Sequence, residues 1–217
     1  MLKLGLAPQG RTGLTVLCLG AHGDDLELGA GGAVLRLLEE WPAARVFWVV
    51  FSASGVRRQE AAASAERFLD GAGEKTVELL EYRDGFFPYQ GGEIKETFER
   101  LKGICVPDLI FTHYRQDLHQ DHRLISELTW NTFRNHLILE YEIVKYDGDL
   151  GVPNLFIHLP EALARRKVAL LLESFGSQQP KQWFDADTFY AMLRIRGLES
   201  NAPGKYAEGF YCRKMIF

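Results

Sequence analysis

Short apolar runs alternate along this chain with longer stretches of helical pattern. Residues 15–21 read TVLCLGA and break into the turn-like HGDD, which predicts a buried parallel strand ending in a loop. Residues 29–40 open with small residues, carry Val34, Leu35, Leu37 and Leu38, and stop at Trp41 and Pro42, as a helix would. The unit recurs as an apolar strand over 45–52, RVFWVVFS, followed by an Ala-rich helical stretch over 57–69. Residues 76–80 and 108–113 predict two further strands, the second introduced by Pro107, with a helix over 92–102 between them and another resuming near Asp121. Beyond about residue 140 the pattern is mixed: 141–146 and 155–158 read as strands, 161–174 and 187–194 as helices. Strands alternating with helices predict an α/β fold, a Rossmann-like, mostly parallel sheet flanked by helices, with its ligand site at the carboxyl ends of the strands. The chemistry is therefore expected just after Ala21 and just after Thr112. No internal repeat or long linker cuts the chain, so residues 1–217 are read as one domain with a C-terminal elaboration from about residue 140.

Composition narrows the class. With 217 residues, 47% hydrophobic and 25% charged, the chain can bury a core and is unlike a disordered or fibrous sequence. Its longest apolar runs, such as 46–51, fall far short of the roughly 18 residues a transmembrane helix needs. Residues 1–13 contain Lys3 and Arg11 but no apolar stretch of secretory-signal length, so a cytoplasmic location is expected. A net charge of −4 offers no basic field for a phosphate backbone, and no nucleic-acid partner is expected. Cys18, Cys105 and Cys212 are too few and scattered for a disulfide framework and read as core or edge thiols. The sequence leaves the oligomeric state open, a homo-oligomer included.

Two polar clusters stand at the expected strand ends. The first is His22-Gly23-Asp24-Asp25-Leu26-Glu27; the second, residues 113–122, reads HYRQDLHQDH, so four of the six histidines lie in these two segments. A hydrolytic zinc site wants three His or carboxylate ligands and an open position for water, a count met by His22, Asp25 and one histidine of the second cluster. His22 and Asp25 are three apart, as are His119 and His122, so each pair can face one side of a tight or first helical turn. Asp24 is then a carboxylate left over for general base, and Asp121 could orient His119 for an oxyanion or leaving group. His113 is a candidate fourth metal neighbour, but it ends an apolar strand and is left outside the ligand set; His136 and His158 receive no role. Glycines 29, 31 and 32 invite a phosphate-loop reading, but the His-Asp cluster intervenes between strand and glycines, which favours close helix packing. The run Arg165-Arg166-Lys167 reads as a solvated helix face. Tyr206 and Glu208 either edge the site or finish a strand. Phe86, Phe87 and Tyr89 are candidates for stacking on a ligand ring.

The segments AHGDDLELGAGG (21–32) and DLHQDH (117–122) resemble the zinc-dependent N-acetyl-sugar deacetylases of the LmbE-like or PIG-L type, whose pattern is A-H-P-D-D-x-E-x-G-x-G-G with a later H-x-D-H. PDLIFTH (107–113), the step from Arg57 to Glu60 and Ala61, RIRG (194–197) and YAEGF (206–210) extend the likeness over most of the chain. The resemblance implies zinc ligation by His22, Asp25 and His122, with iron(II) an alternative ion. It also implies Asp24 as general base, and His119 with Asp121 assisting the tetrahedral intermediate or departing amine. Arg57, and more remotely Asp84, would lie near substrate. The implied reaction removes the N-acetyl group of an N-acetylglucosamine-type sugar or sugar conjugate. The alternatives are an amidase acting on a thiol conjugate or another acylated amine, and a non-catalytic sugar-binding module on the same fold. One departure is Gly23, where the family usually has proline; this predicts a looser loop before metal binds.

Overall fold

The computed structural model describes residue 5 and residues 13–216. The expectation drawn from residues 1–13 rests, Gly5 and Gly13 apart, on positions outside the described ones. The strands are β1 Thr15–His22, β2 Arg45–Ser52, β3 Glu74–Leu79, β4 Leu109–His113, β5 Leu137–Tyr141, β6 Leu155–Leu159 and β7 Tyr206–Cys212. The helices are α1 Asp25–Glu40, α2 Gly55–Phe68, α3 Gly91–Ile104, α4 Gln120–Thr132, α5 Glu161–Ser174 and α6 Ala186–Glu199. All seven strands join one sheet in the order β3-β2-β1-β4-β5-β7-β6. The first five are parallel, and β7 runs antiparallel between β5 and β6. Strand order reverses between β1 and β4, so their carboxyl ends open a crevice at the switch point. His22 ends β1 and His113 ends β4, which sets both polar clusters there.

Helices on both faces explain why the central strands are apolar throughout. In β2, Val46, Trp48 and Val50 enter one core cluster with α1, α2 and α5, while Phe47, Val49 and Phe51 enter the other with α3 and α4. No helix among the described residues is long and apolar enough to cross a membrane.

Three readings of the pattern need correction. Helix α1 starts at Asp25, not at residue 29; Asp25 and Glu27 occupy its first turn, where the helix dipole favours acidic side chains. Its glycines are interior packing positions: a Cβ at Gly29 would fall 2.1 Å from the Tyr141 ring and one at Gly31 2.7 Å from the Phe68 ring. The strand expected over 141–146 instead ends at Tyr141, after a run, LILEY, that pairs with β4; residues 142–146 leave the sheet. Lys167 does not share the solvated face of Arg165 and Arg166. It is buried, ion-paired with Glu208, and donates to the Leu28 carbonyl, while Glu208 accepts from the Gly32 and Ala33 amides. Glu208 thus braces α1 from β7 instead of edging the crevice.

Helix α6 meets β7 backbone to backbone. A Cβ on Gly197 would lie 2.1 Å from the Lys205 carbonyl oxygen, and main chain cannot swing aside as a side chain can. Gly197→Ala is expected to cost about 3 kcal/mol and, at roughly 2–4 °C per kcal/mol for a chain this size, to lower Tm by about 6–12 °C. Thermal unfolding followed by circular dichroism checks it; an unchanged Tm would contradict the packing.

Candidate metal centre

The residues at the crevice fix their own proton positions. His22 Nε2 lies 3.2 Å from Asp121 Oδ2 and 3.1 Å from Asp84 Oδ1, so its N–H points to carboxylates and its Nδ1 lone pair points the other way. His122 Nδ1 lies 2.9 Å from Asp117 Oδ2, which leaves the Nε2 lone pair free. These two lone pairs and Asp25 Oδ2 converge. The separations are 3.2 Å between His22 Nδ1 and His122 Nε2, 3.3 Å between His22 Nδ1 and Asp25 Oδ2, and 3.5 Å between His122 Nε2 and Asp25 Oδ2. Three acceptors facing one another repel unless a proton or a metal cation sits among them, and a tetrahedral ion with ligands at about 2.0–2.2 Å needs edges of about 3.3–3.6 Å. The donor set therefore fits a zinc-like ion.

Burial acts on every group here. It would raise the Asp25 carboxyl, but His122, His113 and His22 outweigh it and hold Asp25 well below the usual carboxylate range. For Asp24, burial and then the Asp25 charge push the pKa up, with Arg57 opposing. Burial, then His122 and His22, push His119 down, so its ring is neutral near pH 7.

Asp24 and His119 sit at helix N-termini in different ways. Asp24 is the N-cap of α1, yet its carboxylate makes no capping bond. It turns into the crevice, where Arg57 Nη2 donates to Oδ1 at 3.2 Å. His119 is the N-cap of α4, and its Nδ1 accepts from the Asp121 amide at 3.2 Å, so the proton of the neutral ring is on Nε2. The His119 ring packs edge-on to His22, with centroids 5.0 Å apart.

The sequence-predicted residues His22, Asp24, Asp25, His119, Asp121, His122, Arg57 and Asp84 thus meet in one crevice. One pairing differs from expectation: the Asp121 carboxylate does not orient His119. It accepts from the Gly85 and Phe87 amides and contacts His22; only the Asp121 backbone N–H reaches His119. Asp84 bridges His22 and Arg57, and the His22 contact brings its pKa down to about 2. Phe87 is fully buried and cannot stack on a ligand, whereas Phe86 and Tyr89 are exposed. One participant escaped the sequence reading. Asp117, first residue of DLHQDH, holds His122 and the His119 amide, and its place five residues before His122 was the available signal. His113, weighed as a fourth metal neighbour and left outside the ligand set, is fully buried with Nε2 3.2 Å from Asp25 Oδ2. Gly23 has no left-handed φ, so its backbone does not demand glycine.

Comparison with known proteins places this geometry. The chain superposes on the conserved protein TT1542 from Thermus thermophilus with a TM-score of 0.71 at 19% identity, covering 94% of this chain and 96% of that one. It superposes on the N,N'-diacetylchitobiose deacetylase of Pyrococcus horikoshii with a TM-score of 0.67 at 19% identity, over 92% and 83% of the two chains. For GalB, the 4-carboxy-2-hydroxymuconate hydratase of Pseudomonas putida, the TM-score is 0.69 at 18% identity, over 94% and 98%. At such identities the likeness carries the fold, and the neighbours span more than one chemistry. The family described as GlcNAc-PI de-N-acetylase, PIG-L, matches residues 17–133, a span that holds both polar clusters. With more than half of its 217 residues so matched, this chain belongs to the PIG-L family.

Proposed function

We propose that this chain is a metal-dependent hydrolase that removes an N-acetyl group from an N-acetylglucosamine-type sugar or sugar conjugate. The observation that carries the reading is the convergence of three lone-pair ligand atoms beside a carboxylate, Asp24, that neither caps its helix nor joins the ligand set. His22, Asp25 and His122 would hold zinc, or iron(II), whose donor preferences also fit. When bound, such an ion acidifies a water and polarises the amide carbonyl.

The chain's own residues do the rest. Asp24 takes a proton from the attacking water at its free carboxylate, with the Arg57 guanidinium fixing its orientation. His119 presents Nε2–H to the carbonyl oxygen as it gains negative charge. The proton held by Asp24 then passes to the nitrogen as the C–N bond breaks, releasing acetate and a free amine. Arg57 and Asp84 line the substrate side, next to exposed Phe86 and Tyr89. PIG-L membership and the deacetylase name of the Pyrococcus neighbour support a sugar amide as substrate. A non-catalytic sugar-binding module has no use for an uncommitted base, so Asp24 favours the enzyme.

The test is acetate release from a panel of N-acetylglucosamine derivatives, free and in nucleotide-, lipid- and thiol-linked forms, with and without chelator. Chelator-sensitive release is expected. Release from the thiol-linked form alone would move the substrate class, and silence across the panel by metal-loaded protein would overturn the reading.

A further inference from the structure

The segment 142–154, between β5 and β6, contains no regular element, yet it is tied down along its length. Arg196 pairs with Glu142 at 2.6 Å and donates to the Gly151 carbonyl at 3.1 Å. Gly148 turns the chain with φ +65°, and Gly151 lies where a Cβ would sit 2.5 Å from the Tyr211 hydroxyl. The turn delivers Lys145 and Asp149 to the β4–α4 loop. Lys145 Nζ lies 3.0 Å from Asp117 Oδ2 and 2.5 Å from Asp149 Oδ2, its side chain only 11% exposed between carboxylates exposed by 2% and 6%. Asp149 also accepts from the Leu118 amide at 2.7 Å. Asp117, in turn, accepts from His122 Nδ1 on one oxygen and from the His119 amide on the other.

We propose that Lys145, with Asp149, is a positioning residue for the metal centre: it pins Asp117, and through Asp117 fixes the ring orientation and tautomer of His122. The inference rests on the metal role of His122 proposed above. A buried ammonium between two carboxylates has two jobs available. As a bystander cation it would merely oppose a divalent ion nearby, so its removal would tighten metal binding. As a positioning group it holds the carboxylate that holds the ligand, and its removal weakens binding; partners one shell out from a ligand are worth 10–100-fold in affinity. The geometry favours the second, because Asp117 Oδ2 is shared between Lys145 and His122.

Two measurements on full-length protein test this. Metal-free wild type, Lys145→Met and Asp149→Asn are titrated with Zn2+ against a competing chelator, with folding checked by circular dichroism. Lys145→Met is expected to bind about tenfold more weakly, Asp149→Asn a few-fold more weakly, and the double variant no more weakly than Lys145→Met within about twofold. Unchanged or tighter binding by Lys145→Met overturns the proposal. The second measurement is the side-chain 15N spectrum of the metal-free proteins. His122 is expected as the single Nδ1–H tautomer in wild type and as a tautomer mixture in Lys145→Met; identical spectra also overturn the proposal. A wild type that binds no zinc would sink the functional reading, while the nitrogen spectra would still decide the role of Lys145.

Discussion

Asp24→Asn is expected to lower kcat by about 10²- to 10⁴-fold while the protein still takes up one metal ion per chain. The substitution is chosen to remove only the ability to accept a proton. Asparagine keeps an oxygen for Arg57 Nη2, which donates to Asp24 Oδ1, so the crevice wall stays in place and KM moves little. Helix α1 loses no capping bond, because the Asp24 carboxylate makes none; an ordinary N-cap aspartate would have contributed about 1 kcal/mol. The ligand atoms of His22, Asp25 and His122 do not include Asp24, and the metal content of the variant verifies that. Steady-state rates on the best substrate of the panel, read beside zinc content, separate the two effects. Activity within tenfold of wild type would remove Asp24 as the base, whereas loss of metal together with activity would move Asp24 into the ligand set.

What the sequence disclosed and what it hid follow from the range of the interactions. Strands β1, β2 and β4 were legible because they are buried on both faces and therefore uniformly apolar, and the motif residues were legible because each cluster is contiguous where its strand ends. Partners distant in sequence left no local trace. Lys167 sits in a basic run that looks solvated, and its partner Glu208 lies 41 residues away. Asp121 is next to His122 and two residues from His119, so adjacency suggested His119, yet its carboxylate reaches back 99 residues to His22. The alternation in YEIVKY reads as strand, but the residues that leave the sheet there, Lys145 among them, are recruited to Asp117 in a different loop. Of the aromatics in the Phe86 to Tyr89 turn, only the fold decides that Phe87 faces the core and Tyr89 the solvent.

The second large effect is on stability. Metal-free wild type is expected to lose about 3–5 kcal/mol between pH 5 and pH 9, and most of that loss should vanish in Glu27→Gln. Glu27 sits in the first turn of α1, fully buried, and neither carboxyl oxygen meets hydrogen-bond geometry with a partner among the described residues. Burial is the largest influence and pushes its pKa from 4.5 up to about 8, against a smaller downward pull from the nearby Ser64 hydroxyl. The folded state therefore keeps a proton that the unfolded chain gives up near pH 4.5. Stability from this group is complete below that pH and is lost as pH rises through about 8. Each pH unit between the two values costs about 1.4 kcal/mol, a sizeable share of the roughly 5–15 kcal/mol typical of a domain. Glutamine matches the protonated side chain in shape and never ionises, so it removes the dependence without opening a cavity. Other groups also contribute to the pH dependence of stability, so the informative quantity is the difference between variant and wild type at each pH. Urea unfolding of chelator-treated proteins at pH 5, 7 and 9 supplies it. The two proteins should agree at pH 5 and diverge in favour of Glu27→Gln at pH 9; parallel curves would mean that Glu27 is ionised in the fold, with a counter-charge close enough to hold it so.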